Sequence, residues 1–187
     1  MWLIVAVLAV AIVGIALIAS RRRSQARSAR LHQQFGPEYD RALEQHGSAA
    51  RAERELEARA RRVDRIQIHE LGNADRVRFA NKWTGIQAQF VDDPAVAVAG
   101  ASELINEVMR ARGYPTENFD QRVADLSVDH PLVVQHYRAA RSLADSSRAG
   151  QINTEELRQA MVHYRFLFSD LLQEPRAARG ELRESHA

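Results

Sequence analysis

Residues 2–19 read WLIVAVLAVAIVGIALIA, 18 positions without a charge, and Arg21, Arg22 and Arg23 follow at once. At about 1.5 Å per residue, a helix of this length covers roughly 27 Å, close to the hydrocarbon thickness of a bilayer. A helix packed in a protein core keeps a polar face, and this run has none. Residues 2–20 are therefore expected to form a transmembrane anchor. A cleaved leader is the rival reading. It needs a basic segment before the apolar run and small residues at the cut. Only Met1 precedes the run, and the exit Leu17-Ile18-Ala19-Ser20 puts bulky residues where small ones are wanted.

Direction follows from the basic flank. Arg21, Arg22, Arg23, Arg27 and Arg30 lie just after the span, and basic residues resist translocation. The expected topology has the N-terminus outside and everything after Arg21 in the cytoplasm. The span offers no GxxxG face, because the four-residue neighbours of Gly14 are Val10 and Ile18. It reads as a plain tether.

The rest of the 187-residue chain suits one domain and a stalk. There is no cysteine, so disulfides and thiolate metal sites are excluded. Charge is uneven. Residues 21–65 hold 12 Arg and 7 acidic residues, whereas residues 66–187 hold 14 basic and 17 acidic ones. The basic character thus belongs to the segment beside the span, which can meet anionic lipid head groups near Arg21, Arg22 and Arg23. The distal part is mildly acidic and a poor nucleic-acid binder.

After a helix-permissive stretch, Gly36-Pro37 interrupts the chain, and Pro37 suits the first turn of a new helix. Leu31, Phe35, Tyr39 and Leu43 recur every four residues. This narrow stripe either docks on the distal domain or serves a partner or the membrane surface. Ser48–Arg65 is rich in Ala, Glu and Arg and reads as a solvated stalk helix, too short in its heptads for a coiled coil. Ile66–His69 alternates and reads as an extended connector.

Beyond Gly72 the signals are helical. Asn73 is the expected cap of a helix whose Phe79, Trp83, Ile86 and Phe90 share one face. Asp93-Pro94 opens the next, which runs to Gly113. Asn118 with Gln121 resembles a capping box for a short helix ending near Leu126. His130-Pro131 is expected to open another. Asn153 with Glu156 is a second capping box, leading into a broad face of Leu157, Met161, Tyr164, Leu167, Phe168, Leu171 and Leu172. The fold class predicted is all-α: an anchor at 2–20, a basic helical stalk at 21–65, a helical bundle at 66–174 with four substantial helices and one short one, and a polar tail at 175–187.

Chemistry is sparse. His130 at a helix start would face the positive end of the dipole and suit a tuned base or a ligand. The bland alternative is a capping residue. His136-Tyr137-Arg138 and His163-Tyr164-Arg165 echo each other, so His136 and His163 could face one another across a helix pair, with Asp129 or Glu156 near. The Glu-x-x-His pairs of carboxylate-bridged metal sites are absent, and no phosphate-binding glycine loop occurs. No catalytic, cofactor or metal residue is assigned, and no cofactor is expected.

The phrases FGPEYD (35–40), QFVDDP (89–94), VMRARGYP (108–115), ADLSVDHP (124–131) and ELRQAMVHYRFLF (156–168) resemble those of a family of bacterial proteins with an apolar N-terminal segment before a helical domain. The resemblance covers most of residues 35–172. It implies a bacterial source and the same architecture, and carries no activity or site residue. The expected function is that of an inner-membrane, single-pass, non-enzymatic interaction or scaffold protein with an unknown protein partner. The alternatives are a tethered enzyme or metal-binding domain using His130, His136 and His163, and a secreted or periplasmic helical domain.

Overall fold

The computed structural model describes residues 2–116 and 118–173, with the side chains of residues 3–13 outside the description. The described residues form eight helices and no strand: α1 (Trp2–Phe35), α2 (Pro37–His46), α3 (Ala49–Val63), α4 (Asn73–Asp92), α5 (Pro94–Ala111), α6 (Phe119–Asp129), α7 (Val134–Arg148) and α8 (Thr154–Leu172). The all-α expectation holds. Among the described residues no helix is long and apolar enough to cross a membrane. Most of the expected span, Leu3–Val13, lies among the side chains outside that description, as does the expected polar tail at 175–187.

The chain divides into two compact units, Met1–Ala58 and Arg59–Ala187. In the first, α1 runs unbroken from the apolar run through the arginines. It stops at Gly36, whose φ of 48° is a left-handed conformation that a side chain would resist, and Pro37 then opens α2. Leu31, Phe35 and Tyr39 are buried, as are Ala42, Ala52 and Leu56, while Leu43 is exposed. The segment read as a solvated stalk is thus not solvated all round. Its Ala, Glu and Arg content makes the helix, but its sparse apolar positions are spent on burial. Polar contacts tie the unit as well. Glu53 is nearly enclosed, and its carboxylate accepts from Ser28 Oγ at 2.5 Å and Tyr39 OH at 3.2 Å. Arg27 Nε lies 2.7 Å from Glu57 and 3.5 Å from Glu53.

In the second unit α5 is central and packs on α4, α7 and α8. Its inward face is Ala97, Val98, Ala101, Leu104, Ile105, Val108 and Met109. Four long helices and the short α6 make up this bundle, as the punctuation predicts. Phe79 and Trp83 are buried, and Trp83 stacks on Phe168 of α8 with ring centres 4.9 Å apart. Three caps follow the reading. Asp93 accepts from Val96 N–H with Pro94 at the first position. Asn153 and Glu156 complete a reciprocal capping box. Gly113, at φ 88°, lets Tyr114 N–H close back on Met109 O at 2.9 Å.

Two caps differ. The α4 cap is Gly72, with Asn73 already helical and no side-chain bond. Asn118 does accept from Gln121 N–H, but the Gln121 side chain reaches Asp125 instead of returning to Asn118. Its amide is held there as a donor, Nε2 giving its hydrogen to the buried Asp125 carboxylate. The connector after α3 is irregular where an extended segment was expected: residues 64–66 turn, Ile68 N–H closes on Ile66 O at 3.1 Å, and His69 N–H donates to Arg112 O at 2.9 Å.

Candidate functional site

The α7–α8 pair carries two of the three histidines singled out above, His136 and His163. Helix α7 follows a turn at 131–133, and the capping box starts α8 after a short loop. Residues pair as 130 with 170 and 136 with 163, so the two helices run antiparallel. His136 and His163 do face each other. Their Nδ1 atoms are 2.8 Å apart, the ring centres 5.1 Å apart, and the rings tilted by 43°. Both are half-buried. On its other side His136 stacks on Phe166, ring centres 4.7 Å apart, and Phe166 remains 48% exposed. Burial, and then the charge of His136, lower the His163 pKa below the usual imidazole value.

His130 sits elsewhere in the network, and its expected place is corrected. It does not open α7. It caps the C-terminus of α6, its N–H donating to Leu126 O at 2.8 Å, so it meets the negative end of a helix dipole. Pro131 enters a turn, and α7 begins three residues later. His130 is buried. Its Nδ1 is bonded to Asp170 Oδ2, and its Nε2 faces Arg112 Nη1 at 3.4 Å. A guanidinium only donates. Nε2 therefore accepts, and Nδ1 carries the proton given to Asp170. The same Arg112 Nη1 donates to Leu171 O at 3.1 Å.

This arrangement explains a fully buried arginine. Arg112 is the C-cap of α5, His130 the C-cap of α6, and Leu171 lies in the last turn of α8. The guanidinium thus takes one carbonyl in the last turn of α8, where partial negative charge gathers, and the imidazole at the end of α6, while its Nε has no hydrogen-bond partner among the described residues. The cation is held by dipoles, and the Asp–His bond orients the imidazole that lines it. Among the described residues His130 bonds Asp170, Arg112 and the Leu126 carbonyl, and these contacts tie the ends of α5, α6 and α8 together.

Neither expected carboxylate joins the histidine pair. Asp129 accepts from Tyr114 OH at 3.2 Å, and Glu156 is spent in the capping box. Among the described residues no group of three or more His, Asp or Glu is placed to hold a metal ion. A second buried polar contact escaped the sequence reading. Asp125 is fully buried and accepts from Arg62 Nε at 3.0 Å and Gln121 Nε2 at 2.8 Å. Arg112, Asp170 and the Arg62–Asp125 pair had one faint signal each at most. An arginine just before the closing glycine of α5 is the clearest, since cations suit helix C-termini.

No family model, no curated protein and no solved structure matches the chain.

Proposed function

We propose that the chain is a single-span protein of the bacterial inner membrane, anchored by residues 2–20, with its N-terminus outside and its helical units presented to the cytoplasm for interaction with a protein partner. One observation carries the reading. On the helix that continues to Phe35, Ile15, Leu17 and Ile18 are 68%, 59% and 58% exposed, and Trp2 is 92% exposed. Large apolar side chains left uncovered in a row ask for an apolar surrounding. The uncharged run from residue 2 to 19 extends that demand, and the arginines from Arg21 to Arg30 support both the direction and contact with anionic head groups. The bacterial source rests on the resemblance of the five phrases above. The interaction role is supported by Phe166 on α8 and Leu132 in the turn before α7, large apolar residues that are exposed.

Topology tests the proposal. A reporter active only in the cytoplasm, fused after Ala187, is expected to work in cells, with the protein retained in membranes after an alkaline wash. Activity of an export-dependent reporter at that position, or release of the protein by the wash, overturns it.

A further inference from the structure

His136 and His163 meet through the same atom of each ring. The distance between their ring centres exceeds the 2.8 Å between nitrogens by about twice the centre-to-vertex radius of an imidazole. The two rings therefore point at each other along the N–N line. That is the alignment of an N–H···N bond, in which one Nδ1 donates and the other accepts. Two ligands of one cation would aim instead at a third point beside that line.

We infer that His136 and His163 form a one-proton site that makes the packing of α7 on α8, and the cover over Phe166, depend on pH in the acid range. From the neutral pair, a first proton adds to Nε2 of the donor ring. It leaves the N–H···N bond intact and makes it charge-assisted. A second proton must take the acceptor's Nδ1 lone pair. That breaks the bond, sets two N–H groups face to face, and leaves two positive rings 5.1 Å apart. Coulomb repulsion at an effective dielectric of about 20 separates the two steps by about two pH units. Parting the rings relieves it, and the His136 ring that stacks on Phe166 leaves with them.

Among the described residues, the positions one turn from either histidine hold no carboxylate. One turn to either side, His136 is flanked by Leu132 and Val133 of the preceding turn and by Ala139 and Ala140 of α7, and His163 by Gln159, Ala160, Phe166 and Leu167 of α8. The nearest charged positions along these helices are Arg138 on α7 and Arg165 on α8, the latter's guanidinium 5.9 Å from the Phe166 ring centre. Both are cations and disfavour further protonation. From α5 and α6, which also pack on this pair, no charge bears on His163; His136 is the one that does. An unfolded chain would protonate both rings as pH falls through about 6.5. The folded pair takes its second proton only well below that. The stability tied to the second step is present above about 6.5 and is lost as pH falls through that lower step.

The test is a histidine-labelled NMR titration of the full chain in detergent micelles, from about pH 8 to about pH 4 with a chelator present. His136→Gln and His163→Gln assign the signals, since glutamine keeps a hydrogen-bonding group and cannot take the proton. The two histidines are expected to titrate together in two steps about two units apart. In either variant the surviving histidine should titrate in one step, and the acid-side fall in Tm should shrink. Independent single steps near the ordinary imidazole value, unchanged by loss of the other ring, overturn the inference. The titration of the parent decides alone if a variant fails to fold.

Discussion

Replacing Trp83 with alanine probes the joint between α4 and the rest of the bundle. The side chain is 7% exposed and stacks on Phe168 with an interplanar angle of 15°. The substitution withdraws roughly 150 Å² of apolar surface, which at about 25 cal/mol per Å² is about 4 kcal/mol. Loss of the ring pair adds about 1 kcal/mol, and partial collapse of the cavity returns some of it. A net loss of about 4 kcal/mol lies within the usual 3–5 kcal/mol for such truncations and is a large share of a typical domain's 5–15 kcal/mol. Thermal melting of the full chain in mild detergent, followed by far-ultraviolet circular dichroism, should show Tm lowered by roughly 10–15 °C. Circular dichroism is the better readout because Trp2 would confuse fluorescence. Trp83→Phe, which keeps a ring on Phe168, should lose less than half as much. A cycle with Phe168→Leu should reveal about 1 kcal/mol of coupling between the two rings. A Trp83→Ala protein that melts like the parent would refute burial and make the Trp83 face a candidate binding surface.

Arg62→Ala strands the buried Asp125 carboxylate with only Gln121. Because Arg62 is itself 44% exposed, the cost should be about 2–3 kcal/mol, below that of breaking a fully buried pair. Arg62→Lys should recover only part of it by denaturant titration, since an ammonium lacks the guanidinium fork. Gly113→Ala meets two obstacles at once, φ of 88° and a new Cβ 2.3 Å from Gln67 O. It should cost more than about 1 kcal/mol and speed exchange of the His69 amide that bonds Arg112 O. Burial pushes the Tyr137 hydroxyl up to about 12. An ultraviolet titration should therefore find this hydroxyl still protonated at about pH 10, where a tyrosine in an unfolded chain is half ionised, with stability falling as pH rises from about 10 through 12.

Periodicity and punctuation made the bundle legible. The Phe79–Trp83 face and the α8 face could be read because burial repeats along a helix, and Asp93-Pro94 and Asn153-x-x-Glu156 because caps act within one turn. His136 and His163 were legible as a possible pair for the same reason, each lying on a helix joined to the other by a short loop. His130 was misplaced because His-Pro marks an interruption without saying which side the helix is on. Here α6 extends to capture the His130 amide, and proline begins the turn. Buried polar contacts were illegible for a different reason. Asp125 is buried because Arg62, 63 positions away, comes to it, and Arg112 because Leu171, 59 positions away, presents a carbonyl. Nothing local in either neighbourhood encodes the partner, and a charged side chain on a helix is ordinarily solvated.

The first unit joins the proposed anchor to folded protein without an intervening joint. Helix α1 is continuous from Trp2 to Phe35, and the same helix that exposes Leu17 and Ile18 buries Leu31 and Phe35. From Ala19 to Phe35 is about 24 Å of uninterrupted helix, stiff over that length. The first break is Gly36, past the buried residues. Ser28, between them, gives its hydroxyl to Glu53, which Tyr39 of α2 also holds. The Arg27–Glu57 ion pair is half-buried, and the Glu53 carboxylate, only 4% exposed, cannot lose its donors without cost. A tilt or rotation of the N-terminal part of α1 therefore reaches Glu53 before the break at Gly36.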